Sequence, residues 1–284
     1  MLLIGRKRLM SLTTAAPTPD LQIVPVNSLH PHEEHDTQRS APLIEKIRMA
    51  DWFINPPIVA PISDDLADGY VILDGANRHY CFAALGYPHI LVQVVRYDSP
   101  FVSLDVWNHV ISNWRMETFF MQLRGLEAVS VSEVPMINPL AWLAAPDGRR
   151  FSFHTDARHI HDRNAVLREV VRLYQRQATL NRTAQKDPAA VFPDFPDATG
   201  LMLFPRFEPE HVIEAATQHA YLPPGISRHI INGRAIRLNY PMNAVIDRAI
   251  SLPEKNAALR LWVQRRFVNR AVRYYAESTY QFDE

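Results

Sequence analysis

An α+β fold built as two units is what the sequence predicts, and three observations carry that prediction. Apolar runs of strand length alternate with stretches of helical period along the chain. The breaks between them hold most of the 22 prolines and 9 glycines. At 284 residues and 47% apolar composition, there is enough material for two cores. The expected divisions are a flexible leader over residues 1–20, a first unit over 21–125 and a second α+β unit over 126–284 ending in a basic helix. Lys plus Arg and Asp plus Glu both total 30, so no global field draws the chain to nucleic acid or an anionic membrane. Cys81 is the single cysteine, which excludes an internal disulfide framework, and no apolar run is long enough to span a bilayer. The opening MLLIGRKRLM does not read as a signal peptide. A reducing cytoplasm is the simplest setting, and the sequence leaves open whether the chain forms a homodimer.

The elements follow in order. LQIVPVNSL alternates and is broken by proline, which predicts a strand; APLIEKIRMADWF then places Leu43, Ile44, Ile47 and Trp52 at near-helical spacing. Tandem prolines make NPPIVAPI extended. YVILD is a short buried strand, ANRHYCFAALG a helix closed by Gly86, and HILVQVVRY another strand. VWNHVISNWRMETFFMQLRGL reads as a helix joining the halves, and LAWLAAPDGRRFSFHTD as a hairpin around PDGR. From an N-cap at Asp162, a helix would align Val166, Val170, Leu173 and Leu180. TAQKDPAAVFPDFPDATG reads as a loop, LMLF as a core strand and PEHVIEAATQHAYL as a helix. PPGISRHIINGRAIRLNYPM suggests a turn and hairpin, and KNAALRLWVQRRFVNRAVRYYAES a long basic amphipathic helix.

Three clusters carry chemistry. In VILDGANR a strand ends at Asp74, Gly75 gives backbone freedom and a helix starts at once, presenting unpaired N–H groups and a positive dipole end to an anion. Arg78 adds a fork suited to phosphate oxygens and Asn77 a further donor. Asp74 would repel bare phosphate but fits beside it with a magnesium ion between. The structural alternative is a strand-to-helix turn with a solvated arginine. The second cluster, LHPHEEHDTQR, sets histidines and acids in a loop before a helix, where a carboxylate, His32 or His35 can accept a hydroxyl proton; the alternative is a polar surface loop. The third is PPGISRHIINGRAIRLN, where SRH follows a turn and Arg228, Arg234 and Arg237 offer groups for a carboxylate or phosphate. On a regular strand Arg234 and Arg237 would face opposite sides. FHTDARHIH reads as a polar helix entry rather than a metal site, and the arginines of the last helix as a solvated face or a DNA-binding one.

The segment VILDGANRHYCFAALGYPHILVQVV resembles the ParB/sulfiredoxin fold. Taken in order, HPHEEHDTQR, NPPIVAP, DGANR, VWNHVI and GISRHIINGRAIRLN are similar to the free L-serine kinases of that fold, including siderophore-locus enzymes that form O-phospho-L-serine. The resemblance spans roughly residues 21–240. It implies a ParB/sulfiredoxin-like first unit that binds nucleotide and a second unit closing over the site. It implies Glu33 as the base that deprotonates the serine hydroxyl, with Glu34 as its alternative. Asp74, Gly75, Ala76, Asn77 and Arg78 would hold the nucleotide phosphates, with Asp74 also holding Mg2+ and ATP or ADP as donor. His32, Trp107, Ser227, Arg228 and His229 would bind serine or the transferred phosphoryl group. The family motif is more often DGHHR, so Ala76 and Asn77 depart from it. A ParB-like DNA-binding regulator is the second reading that the fold resemblance allows. Cys81 lies in the apolar helix, so sulfiredoxin-like reductase chemistry lacks its thiol.

Overall fold

The computed structural model describes residues 16–35, 37–134 and 137–276, so most of the expected leader lies outside the described residues. The first half contains β1 (Asp20–Pro25), β2 (Leu29–Pro31), α1 (Thr37–Arg48), β3 (Trp52–Phe53), β4 (Ile58–Pro61), β5 (Tyr70–Asp74) and α2 (Ala76–Ala84). Then come β6 (His89–Val94), β7 (Val102–Val106), β8 (Asn108–Ser112), α3 (Met116–Leu123), β9 (Ser130–Ser132), β10 (Ala141–Ala144), β11 (Arg150–His154) and α4 (Ile160–Gln175). The chain continues through β12 (Thr179–Thr183), α5 (Pro188–Val191), β13 (Ala198–Leu203), α6 (Pro209–Thr217) and β14 (Ser227–Ile231). It closes with β15 (Tyr240–Pro241), α7 (Met242–Ile246) and α8 (Leu252–Val268).

Five strands form a mixed sheet in the order β1-β6-β4-β5-β2, in which β6/β4 and β5/β2 are parallel. Six form an antiparallel sheet, β12-β8-β13-β10-β11-β9, and two ribbons pair β14 with β7 and β15 with β3. Alternation along β5 sorts its side chains between two cores. Tyr70 and Ile72 pack with Ile47, Phe82 and Leu259 under the helices, while Val71 and Leu73 meet Leu104, Val212 and Ala216 on the opposite face. Each fully buried aliphatic side chain there contributes about 1.5–3 kcal/mol. With both faces covered, β5 is fixed firmly enough to present Asp74 at its end. A third core lies between the six-stranded sheet and α3 and α4, with Phe119, Phe153, Val170 and Tyr174 at its centre. At the outer edge of the mixed sheet, Asn256 of α8 both accepts from the Ile23 amide and donates to its carbonyl, at 2.9 and 2.8 Å. That covers part of an otherwise open strand edge.

Several elements differ from the sequence reading. The joining segment begins on the last residue of β7, continues as strand β8, and only its later part is helix α3. All five residues of β8 are buried, so no alternation betrays the strand, and Asn113 turns the chain with a φ of 57°. Trp52 lies in β3 and is 52% exposed, and Leu180 belongs to β12. His159, not Asp162, caps α4. The predicted loop before the core strand contains α5, capped by Asp187. The last predicted hairpin does not form: β14 pairs with β7, and residues 232–239 run irregularly, with Arg237 and Asn239 at positive φ. Helix α8 ends at Val268, short of Arg270 and Arg273. Strand pairing also crosses residue 125, since β8 lies in the six-stranded sheet and α8 returns to β1. Among the described residues no helix is long and apolar enough to cross a membrane, and no group of three or more His, Cys, Asp or Glu is placed to hold a metal by itself.

His109 on β8 has 0% exposure, and its Nδ1 lies 2.8 Å from the Tyr174 hydroxyl. Burial, helped by the Arg182 charge, pushes this imidazole from 6.5 down to about 3. Between those values the unfolded chain binds a proton that the folded chain refuses, so this group's contribution is complete above pH 6.5 and lost as pH falls toward about 3, by ~1.4 kcal/mol per pH unit. His109→Gln should therefore show a shallower loss of stability with acid than the wild type, read from urea midpoints across that window. Equal slopes would mean that the folded protein accepts the proton.

Candidate active site

The C-terminal end of β5 is where the predicted segments meet. Gly75 follows Asp74 with a φ of +100°, and a Cβ there would lie 2.9 Å from the Pro57 Cβ, so both conformation and space demand glycine. Helix α2 begins at Ala76, so its positive dipole end lies at this turn. Arg78 donates from Nη1 to the Asn55 carbonyl at 2.5 Å. Asp74 Oδ2 accepts from Arg234 Nη2, a pairing between two partly exposed side chains. Burial works to raise the Asp74 carboxyl, but the charges of Arg234 and Arg78 hold it below the usual carboxylate range. Burial lowers Arg78, and Asp74 offsets part of that.

Two residues before Asp74, the Ile72 carbonyl lies 2.7 Å from His32 Nδ1. A carbonyl only accepts, so Nδ1 carries the proton, and in the neutral ring Nε2 is left to accept. Its partner is the Ser227 hydroxyl at 2.7 Å. The same hydroxyl is 2.6 Å from Glu33 Oε1. One hydroxyl proton thus faces two acceptors, which couples His32, Ser227 and Glu33 into one proton-sharing group. Burial pulls His32 down, with Glu33 and the Ile72 carbonyl opposing.

Glu33 is held by backbone as well. Its Oε1 accepts from the Ser227 amide at 2.8 Å and its Oε2 from the Gly225 amide at 2.6 Å. The loop that carries it runs beside the 220–222 segment, where Leu222 donates to the His32 carbonyl at 2.8 Å and Glu34 donates to the Leu222 carbonyl at 3.1 Å. Glu34 points elsewhere: Arg172 donates to both its oxygens at 2.7 and 2.8 Å, and Arg168 Nε lies 3.2 Å away. His35 stacks on Tyr80 with ring centroids 3.8 Å apart. Of the described acids and histidines in this cluster, His32 and Glu33 are the pair in contact with Ser227.

Beyond Ser227, β14 pairs with β7 and sets Arg228 opposite Asp105. The Arg228 guanidinium lies 4.6 Å from the centre of the Trp107 ring, and the Trp107 amide donates to the Ile226 carbonyl at 2.8 Å. Trp107 is the one residue between β7 and β8, so it sits where the chain passes from the ribbon to the six-stranded sheet. His229 turns the other way, edge-on to His32 at 5.5 Å, with Nε2 2.7 Å from the Tyr97 hydroxyl. Burial and then His32 push His229 down, and burial pushes the Tyr97 hydroxyl up, so Tyr97 donates to His229.

Sequence reasoning did not single out Tyr97 or Asn55, and it kept Arg234 only as one of three arginines. Arg182 was also missed; its guanidinium lies so close to Gly225, whose φ is +73°, that a Cβ there would come within 2.2 Å. LNRT carries no local signal for such a position, because the contact is made across 42 residues to the Pro224 carbonyl.

No family model matches the chain. It is 23% identical over 269 residues to the ATP-dependent L-serine kinase SbnI of Staphylococcus aureus, covering 93% of this chain and 97% of that protein. The structure of SbnI with a C-terminal truncation, from the same species, matches with a TM-score of 0.71 at 19% identity, over 87% of this chain and 97% of the other. A free serine kinase in complex with AMP matches with a TM-score of 0.67 at 16% identity, over 83% of this chain and 98% of the other. The likeness that the ordered motifs carry is thus borne out along nearly the whole chain, which has the ParB/sulfiredoxin-type α+β fold of SbnI and the free serine kinases.

Proposed function

We propose that the protein is a kinase of free L-serine, transferring a phosphoryl group from ATP or ADP to the serine hydroxyl to give O-phospho-L-serine in the cytoplasm. The observation that carries this reading is the Glu33 carboxylate, fixed by the amides of Gly225 and Ser227 with one lone pair of Oε2 left for a proton, near the strand end that bears Asp74 and Arg78. A serine hydroxyl is a weak acid, and a carboxylate in reach takes its proton as the bond to phosphorus forms. The N-terminal end of α2, with its positive dipole end, and the Arg78 guanidinium suit the donor phosphates. Trp107 would wall the amino-acid pocket, and Ser227, Arg228, His229 and His32 would line it. The names of the relatives favour this activity over a DNA-binding role.

Magnesium in phosphoryl-transfer sites takes one or two carboxylates and completes its shell with substrate phosphates and water. Asp74 is such a carboxylate, partly exposed beside a helix N-terminus, so the residues fit the ion. Bound there, it would offset charge on the phosphoryl oxygens. The chain's own residues supply the rest: position, proton acceptance and exclusion of water.

Incubation with L-serine, magnesium and either ATP or ADP should yield O-phosphoserine by mass spectrometry; its absence with both donors would sink the proposal. Glu33→Gln should lower kcat by about 10²–10⁴-fold, the range for loss of a general base, and leave nucleotide affinity within about threefold. Glu34→Gln should keep most of kcat, because that carboxylate is engaged by Arg168 and Arg172. The opposite ranking in steady-state kinetics would move the base to Glu34.

A further inference from the structure

Arg234 belongs to none of the regular elements, yet its backbone is gripped on both sides. Gln93 of β6, only 3% exposed, donates from Nε2 to the Gly233 carbonyl at 3.1 Å and accepts at Oε1 from the Ala235 amide at 2.8 Å. Three residues on, the Arg237 amide donates to Asn55 Oδ1 at 2.9 Å, and the Asn55 carbonyl is the acceptor for Arg78. A buried amide and Asn55 therefore brace the 232–238 segment against the strand-to-helix turn, and what they fix in place is the stem of Arg234. Its guanidinium is the ion-pair partner of Asp74, and its side chain is 35% exposed. Around this one carboxylate lie two guanidinium groups, Arg234 and Arg78, and the start of α2. The sum is an excess of positive charge, which suits a polyanion better than it suits Asp74 alone.

We propose that Arg234 is a further phosphate-binding residue of the nucleotide site and that its ion pair with Asp74 competes with the divalent cation for that carboxylate. This rests on the reading of the β5–α2 turn as a nucleotide site. A carboxylate oxygen that accepts from Arg234 is not free for a cation; were Asp74 to hold the cation instead, the guanidinium would be released to bind the donor phosphates. Arg234 and Asp74 thus exchange partners with a magnesium nucleotide, each meeting an opposite charge before and after.

Isothermal titration of ADP and ATP, with magnesium and with EDTA in its place, tests the exchange without turnover. Arg234→Ala should weaken metal-free nucleotide by about tenfold or more, the loss of one charge-assisted contact, and Arg234→Lys should recover part of it. Asp74→Asn should act in the opposite direction, tightening metal-free nucleotide severalfold because Arg234 is released, and should abolish the gain from magnesium. A folding defect does not produce tighter binding, so the paired directions carry the test. Arg265→Ala, which removes one exposed charge from the last turn of α8, should leave affinity unchanged. If wild type binds nucleotide and Arg234→Ala binds metal-free nucleotide equally well, or if Asp74→Asn weakens it, the inference is wrong while the site stands. If wild type binds neither nucleotide, the site reading itself is wrong and the inference with it.

Discussion

Glu33 takes hydrogen bonds from the amides of Gly225 and Ser227, 192 and 194 residues further along the chain. Its side chain is 13% exposed, and a carboxylate so shielded is costly unless donors replace its water. Two backbone amides and a hydroxyl do so, and the amides face one carboxylate only if the turn between them is tight. That turn needs the positive φ of Gly225, and a side chain there would displace Arg182. Once the turn is set, Ser227 opens β14, β14 pairs with β7, and the Ile226 carbonyl receives the Trp107 amide. The order of dependence runs from one buried charge to a turn, from the turn to a strand, and from the strand to the walls of the cleft.

The parts of the site that obey local rules were legible. Asp74 to Arg78 is a strand, a glycine and a helix start in sequence, and each follows from its neighbours. A carboxylate of the LHPHEEHDTQR loop and SRH stood out as separate candidates, but the choice of Glu33 and the link between the two came only through the ordered likeness to known kinases, because the contact that unites them spans most of the chain. The segment around Trp107 was misread for a different reason. Val110 and Ile111 lie in β8, whose five residues are all buried, so their apolar spacing mimics a buried helix. Arg234 escaped because a regular hairpin was assumed, and strand parity says nothing once Gln93 and Asn55 hold the segment in an irregular path.

Strand β5 gives the site its two poles. His32 is anchored to the Ile72 carbonyl, and Asp74 ends the same strand two residues later, which at a strand's rise is about 7 Å. One pole gathers proton acceptors, the His32–Ser227–Glu33 group; the other gathers cations and helix amides around one acid. On the proposed reading a hydroxyl meets the first pole and a phosphoryl donor the second, with the transferred group between. The spacing is then a property of the backbone, insulated from side-chain motion by the cores on both faces of β5.

The same geometry bears on Ala76 and Asn77, the two positions that depart from the DGHHR pattern of similar kinases. On the proposed reading of this turn as a phosphate site, they put no imidazole at the first turn of α2, so phosphate would be held by backbone amides, by Asn77 and by guanidinium groups. Arg78 is committed in part to the Asn55 carbonyl, which orients its fork but occupies one of its donors. A second guanidinium brought in from across the sheet makes up that deficit without altering the strand-to-helix turn, where Gly75 and Pro57 leave no room for a larger side chain at the glycine. The charge balance around Asp74 is thus set jointly by Arg78 from the helix start and Arg234 from the distant segment.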